Sequence, residues 1–184
     1  MEMKVKKSKS CAEIEFTDST PSFANALRRI MISEIPLNAI EEVNITENNS
    51  ALQDEMLSHR LGLIPVKGEG SFKLKVEGPL TVMSANMQPI DGNVSIENLE
   101  IPIVELLENQ RLDLTCKTQT GTGKEHAKWQ AAVVSYEYKN PSKIKLCVES
   151  CSTLPEEEII KRGLVILKNK VQEFKDSVSK YKSI

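Results

Sequence analysis

Aromatic side chains are scarce in this 184-residue chain, at 4% of the whole. A packed core therefore has to be filled by aliphatic residues, and an apolar fraction of 40% suffices for one. The length suits one ordinary domain or two small ones. No apolar run approaches the roughly 20 residues needed to span a bilayer. Met1 is followed by charged residues rather than a signal peptide, so a soluble, intracellular protein is expected. Basic excess is missing too. A formal net charge of −2 argues against autonomous binding to duplex nucleic acid, which draws on phosphate neutralisation by Lys and Arg.

Metal-ligand and catalytic patterns are equally thin. The two histidines, His59 and His126, have no carboxylate or thiol at ligand spacing. The four cysteines, Cys11, Cys116, Cys147 and Cys151, do not make a disulfide scaffold in a chain of this size. Cys147 and Cys151 have CxxxC spacing, but KIKLCVESC reads as a strand with both cysteines on one face. Four strand residues span roughly 13 Å, too far for one disulfide or one tetrahedral metal without a bulge. No metal site is expected. No nucleophile–base pair and no DxDxD-like run is present.

What is there begins with Thr20–Pro36, TPSFANALRRIMISEIP. Thr20 is placed to cap a helix, Pro21 suits its first position, and Pro36 stops it. Phe23, Leu27, Ile30 and Met31 form an apolar stripe. Asn25, Arg29 and Ser33 form a polar one, with Arg28 about 100° round from Arg29. The plain alternative is a core helix whose arginines are merely solvated. A second block, Asn49–Pro65, NSALQDEMLSHRLGLIP, carries a Ser50/Gln53 capping box and a Gly62 stop, predicting a helix over Ala51–Leu61.

NALRRIMISEIP and DEMLSHRLGLIP, followed by GTGKEHAKW at Gly121–Trp129, together resemble the assembly-subunit family of multisubunit RNA polymerases. That family comprises the archaeal D subunit, the eukaryotic third-largest subunit and, more distantly, the bacterial alpha N-terminal domain. The resemblance covers nearly the whole chain.

The chain in order supports a divided plan. CAEIEF at 11–16 alternates, with Ala12, Ile14 and Phe16 inward and Cys11, Glu13 and Glu15 outward. The preceding KVKKSK is a partner strand or a frayed basic end. Val43 and Ile45 mark a half-buried strand in Asn38–Glu47. From Lys67 to about Asn140-Pro141, short strand-like runs alternate with glycine turns. A strand at Lys143–Ser150 and a helix of about 27 residues close the chain, the helix capped by Thr153 and Glu156 and near 40 Å long. Its stripe, Ile160, Leu164, Leu167, Val171, Phe174, Val178 and Tyr181, is heptad-like. The first half of this helix is expected on its own sheet and the rest on a partner. The expected fold is α+β: a discontinuous dimerisation domain of antiparallel sheet and long helices (1–66 and 142–184), interrupted by a mostly β insert (67–141).

GTGK at Gly121–Lys124 invites a phosphate-loop reading but does not match one. Glu125 follows Lys124 where a hydroxyl should hold magnesium, and His126 stands where GxGxxG needs its third glycine. A loop presenting Lys124, His126, Lys128 and Trp129 fits a protein contact better.

The resemblance implies a non-catalytic assembly subunit of DNA-directed RNA polymerase, cytoplasmic, or nuclear in a eukaryote. Its partner would be a small L-like subunit, met through Phe23, Leu27, Ile30, Met31, Leu167, Val171, Phe174 and Val178. The second-largest subunit would meet Asn25, Arg28, Arg29, Ser33, His59, Arg60 and the loop residues Lys124, His126, Lys128 and Trp129. DNA would be reached only indirectly. Some archaeal relatives carry a cysteine-rich segment for an iron–sulfur cluster. Here Tyr138 runs almost directly into the last strand, so no cluster is expected. Two rivals stay open: a freestanding nucleotide-binding enzyme using Gly121–Lys124, and an alpha-like homodimer.

Overall fold

The computed structural model describes residues 2–8, 11–140 and 143–181. Among them, twelve strands and three helices occur in this order: β1 (Glu2–Lys7), β2 (Ala12–Thr17), α1 (Pro21–Ser33), β3 (Leu37–Asn48), α2 (Asp54–Gly62), β4 (Val66–Lys67), β5 (Gly70–Glu77), β6 (Leu80–Met83), β7 (Gln88–Gly92), β8 (Ser95–Ile96), β9 (Pro102–Leu106), β10 (Arg111–Gly121), β11 (Ala132–Asn140), β12 (Lys143–Ser150) and α3 (Glu156–Tyr181). The fold is α+β, with antiparallel sheets. The chain divides into a discontinuous first unit, residues 1–36 with 122–184, and a continuous second unit, Leu37–Gly121.

The first unit is a four-stranded sheet in the order β1-β2-β12-β11 with α1 and α3 packed on it. Alternation explains its two faces. Ile14, Phe16, Ile144, Leu146, Val148 and Val134 are buried, with Phe23 of α1 edge-on to Phe16 at 5.6 Å between ring centroids. The opposite face pairs charges: Lys145 Nζ lies 2.6 Å from Glu13 Oε1. Thr20 caps α1 as expected, its Oγ1 accepting from the Phe23 N–H at 3.3 Å, with Pro21 opening the helix. The basic segment Lys4–Lys7 is a strand, pairing from Glu2↔Thr17 to Lys7↔Ala12.

The second unit is built on the sheet β3-β10-β5-β7, with two-stranded pairs β4-β8 and β6-β9. Leu57 and Leu61 of α2 join Phe72, Leu74, Ile103, Leu106, Leu112, Leu114 and Cys116 in its core. Burial pushes the Cys116 thiol up to about 12, so it behaves as a small apolar group. Thr118 is buried and satisfied by the Gly70 backbone, accepting its N–H at 2.9 Å.

Several expectations need correction. The β-rich unit starts at Leu37 rather than 67 and ends at Gly121 rather than 141. The reason is strand pairing: β3 runs against β10 from Leu37↔Gly121 to Asn48↔Leu112, and α2 packs on β3. Conversely β11, read as part of the insert, pairs with β12 from Ala132↔Ser150 onward. The boundary expected at about Asn140-Pro141 reaches residues 141 and 142, outside the described residues. The Ser50/Gln53 capping box does not form. Ser50 Oγ donates instead to Asn48 Oδ1 at 2.7 Å, and α2 begins three residues later than expected. Similarly α3 starts at Glu156, two residues beyond the start a Thr153 cap would set, and Ser150 Oγ donates to the Leu154 carbonyl at 2.6 Å. Cys11 is buried rather than outward, and it forms a disulfide with Cys147. That bond ties the two separated segments of the first unit across 136 residues of chain.

Candidate functional site

The first unit carries two surfaces with different chemistry. One is on α3, a 26-residue helix. Ile159 and Ile160 are buried, and Gly163 lets α3 approach α1 closely: a Cβ there would lie 2.7 Å from Met31 Cγ. Beyond it, Leu164, Ile166 and Leu167 are half-buried. Then Val171, Phe174 and Val178 are 47%, 69% and 38% exposed. Their spacing of three and four places them on one stripe, and regular exposure of large apolar residues marks an interaction surface. A groove of about 390 Å³ between β1 and α3, lined by Met3, Val5, Ile160 and Leu164 among others, extends the apolar character toward the sheet edge.

The apolar stripe of α1 is different, and here the expectation is corrected. Leu27, Ile30 and Met31 are 0%, 3% and 0% exposed, buried within the unit itself, and have no surface to offer a partner. Phe23 is half-buried against Phe16. Of the eight residues expected to meet a small subunit, three are well exposed and two, Phe23 and Leu167, partly so.

The other surface runs along the polar side of α1 and onto the loop 122–129. Asn25 and Arg29 are exposed, and Arg28 and Ser33 are half-buried. Arg28 donates through Nε and Nη2 to Asn25 Oδ1 at 3.2 and 3.1 Å, and its guanidinium lies 5.8 Å from the Tyr136 ring centroid. Arg29 differs: its guanidinium has no hydrogen-bond or ion-pair partner among the described residues. Ser33 Oγ donates to the Arg29 carbonyl at 2.9 Å.

The loop sits on the last turn of α1. Lys124 donates its backbone N–H to the Ser33 carbonyl at 3.0 Å, and its Nζ lies 3.0 Å from Glu34 Oε1. Gly123 allows that approach, since a Cβ there would lie 2.9 Å from the Ile32 carbonyl oxygen. Lys124, Glu125, His126 and Ala127 are exposed. His126 Nδ1 accepts from the Lys128 N–H at 3.1 Å. Trp129 corrects another expectation: it is a core residue, with the Lys128 ammonium 4.5 Å from its ring centroid, and not a contact residue. Both donors that a phosphate would need from Lys124 are engaged within the chain. A 3-10 turn at Ala127–Trp129, not an α-helix, follows the loop.

His59 and Arg60 lie on α2 in the second unit, both exposed, with Arg60 Nη2 donating to the Pro102 carbonyl at 2.8 Å. Cys147, paired with Cys11, is not available to a CxxxC metal pair. Among the described residues no group of three or more His, Cys, Asp or Glu side chains is placed to hold a metal ion. None of their helices is long and apolar enough to cross a membrane.

Two features of this surface escaped sequence reasoning. Tyr136 and Tyr138 stand edge to face at 5.5 Å, exposed on the edge strand β11. Glu34 is the other. It follows the helix without any motif of its own, and its carboxylate takes both Lys124 and Lys170.

A discontinuous sheet-and-helix unit with a long exposed helical stripe, interrupted by a β-rich unit, has a counterpart among known families. The RNA polymerase Rpb3/Rpb11 dimerisation domain matches residues 13–171. The chain belongs to that family. The matched residues run from β2, through the whole second unit, to Val171 on α3. Among relatives, DNA-directed RNA polymerase subunit Rpo3 of Methanocaldococcus jannaschii is 44% identical over 160 residues, 83% of each chain. The Rpo3 subunit of Thermococcus kodakarensis is 42% identical over 131 residues, covering 63% of this chain and 51% of the relative. That of Natronomonas pharaonis is 34% identical over 154 residues, covering 79% and 62%. The chain thus spans about half to five-sixths of the length of these family members.

Proposed function

We infer that this chain is a non-catalytic assembly subunit of a multisubunit DNA-directed RNA polymerase. It pairs with a small L-like subunit and recruits the second-largest subunit. The observation that carries the pairing is the exposed stripe Val171, Phe174 and Val178, on a helix whose near half packs into its own unit through Ile159 and Ile160. Membership of a dimerisation-domain family supports the same reading. Arg29, Asn25 and the loop bearing Lys124 and His126 meet the large subunit, together with His59 and Arg60. Tyr and Arg side chains such as Tyr136 and Arg28 are the residue types that anchor such contacts.

Nucleotide transfer itself takes place on other subunits. It needs a cluster of carboxylates holding two metal ions, for which the described residues provide no candidate. No iron–sulfur cluster is bound. DNA is met through the assembled enzyme, in the cytoplasm. Engagement of Lys124 by Ser33 and Glu34 counts against the nucleotide-loop alternative.

Coexpression with the small subunit of the same source tests the proposal. A one-to-one heterodimer by mass measurement is the expected result. A heat-stable monomer that ignores the small subunit, or a homodimer that excludes it, would overturn it.

A further inference from the structure

Glu34 occupies a position where a carboxylate is ordinarily unwelcome. It caps the C-terminus of α1, its own N–H donating to the Ile30 carbonyl, so its charge faces the negative end of the helix dipole. Its side chain is only 15% exposed. Two cations from separate parts of the chain compensate. Lys124 Nζ, from the loop 122–129, lies 3.0 Å from Oε1, and Lys170 Nζ, from α3, lies 2.6 Å from Oε2. Burial alone would push the carboxyl upward. The hydrogen bonds and charges of Lys170 and Lys124 outweigh it and hold the group below the usual carboxylate range.

The loop is held at both of its ends. At one end Gly123 lies against the α1 backbone and the Lys124 N–H bonds Ser33; at the other the Trp129 ring is buried. Between them the exposed residues form an arch whose first side chain, Lys124, is directed by Glu34. Lys170 in turn immediately precedes Val171, the first well-exposed position of the apolar stripe on the far half of α3.

We propose that Glu34 is a positioning residue: it sets how the loop presents Lys124 and His126, and through Lys170 it makes that presentation depend on α3. The inference rests on the reading that this loop meets a large polymerase subunit. Its physical basis is that removing the carboxylate leaves two ammonium groups without the counter-charge they share, so nothing holds them beside one another against their mutual repulsion. A partner seated on the α3 stripe would hold Lys170 and, through Glu34, the loop. Assembly of the two surfaces would then be ordered by one carboxylate.

The test uses the full-length chain with Glu34→Gln, Glu34→Asp and Lys170→Gln. Trypsin cleavage after Lys124 and Lys128 is followed by mass spectrometry, urea melts report global stability, and binding of the purified second-largest subunit is measured in parallel. Glu34→Gln should raise cleavage in the loop about tenfold, beyond what any change in the urea midpoint accounts for, because cleavage follows local opening. Lys170→Gln should raise it in the same direction although it lies far along the chain, and Glu34→Asp should restore part of the protection. Unchanged cleavage in both Gln variants, or a rise no larger than global destabilisation explains, overturns the proposal. If the loop opens while large-subunit binding is unaffected, the positioning role stands and the assignment of the loop to that partner falls.

Discussion

The α1 and α3 stripes share a spacing and differ in everything else. Leu27, Ile30 and Met31 on α1 recur at helical intervals and are sealed inside the first unit. Val171, Phe174 and Val178 on α3 also recur at helical intervals and stand in solvent. What separates them is the reach of the sheet. α1 is 13 residues long and lies within the cover of β11, β12 and α3. α3 is twice that length and continues past the strands it packs on. A stripe covered by its own unit contributes stability. The same stripe carried beyond that unit leaves apolar surface bare.

The difference can be broken in stages. The largest effect is expected from a change that touches neither stripe. Cys11→Ser removes a link spanning 136 residues and should cost about 4–5 kcal/mol by loop-closure entropy, read by urea melts with and without reductant. Any loss of assembly in that variant reports the fold alone. Leu27→Ala, inside the buried stripe, should cost about 3 kcal/mol of stability in the same melts; a change below about 0.5 kcal/mol would mean that α1 is not core. Phe174→Ser should do the reverse. It should leave the melt of the lone chain within about 0.5 kcal/mol, yet weaken pairing with the small subunit by about 2 kcal/mol, measured by titration. Arg29→Ala should preserve both fold and heterodimer and weaken recruitment of the second-largest subunit by about 1–2 kcal/mol in a pull-down series.

The smallest effect lies where the two helices share Glu34. Its carboxyl is held below the usual carboxylate range in the folded chain, so its contribution is complete above the unfolded value near 4.5. That contribution drains away as pH falls through the lower folded value. As pH falls from above the ordinary carboxylate value to well below it, wild type should therefore lose more stability than Glu34→Gln. Parallel slopes for the two proteins would mean that Glu34 does not couple α1 to α3.

Much of this was legible in the residues. The Thr20-Pro21 start of α1, the alternation of β2 and β12, and the long stripe of α3 all depend on chemistry within a few positions of chain. The candidate site was legible only in part. Arg29, Lys124 and His126 are exposed where expected. Trp129 is not, because its ring is buried, and burial is decided by packing that no local spacing shows. Glu34 left no signal, since its two lysines are 90 and 136 positions away.

The sequence by itself determined the α+β class, the helices that carry the stripes, the discontinuous plan and the resemblance to a polymerase assembly family. Each of these rests on periodicity, capping and short motifs, which are local. Only the tertiary structure decided that β3 and α2 belong with the β-rich unit and β11 with the helical one. It alone joined Cys11 to Cys147 and left one stripe covered and the other bare. Those outcomes depend on which strand pairs with which and how far a sheet extends beneath a helix. Both are set by contacts between segments far apart in the chain, and hydrophobic spacing is the same on either side of that choice.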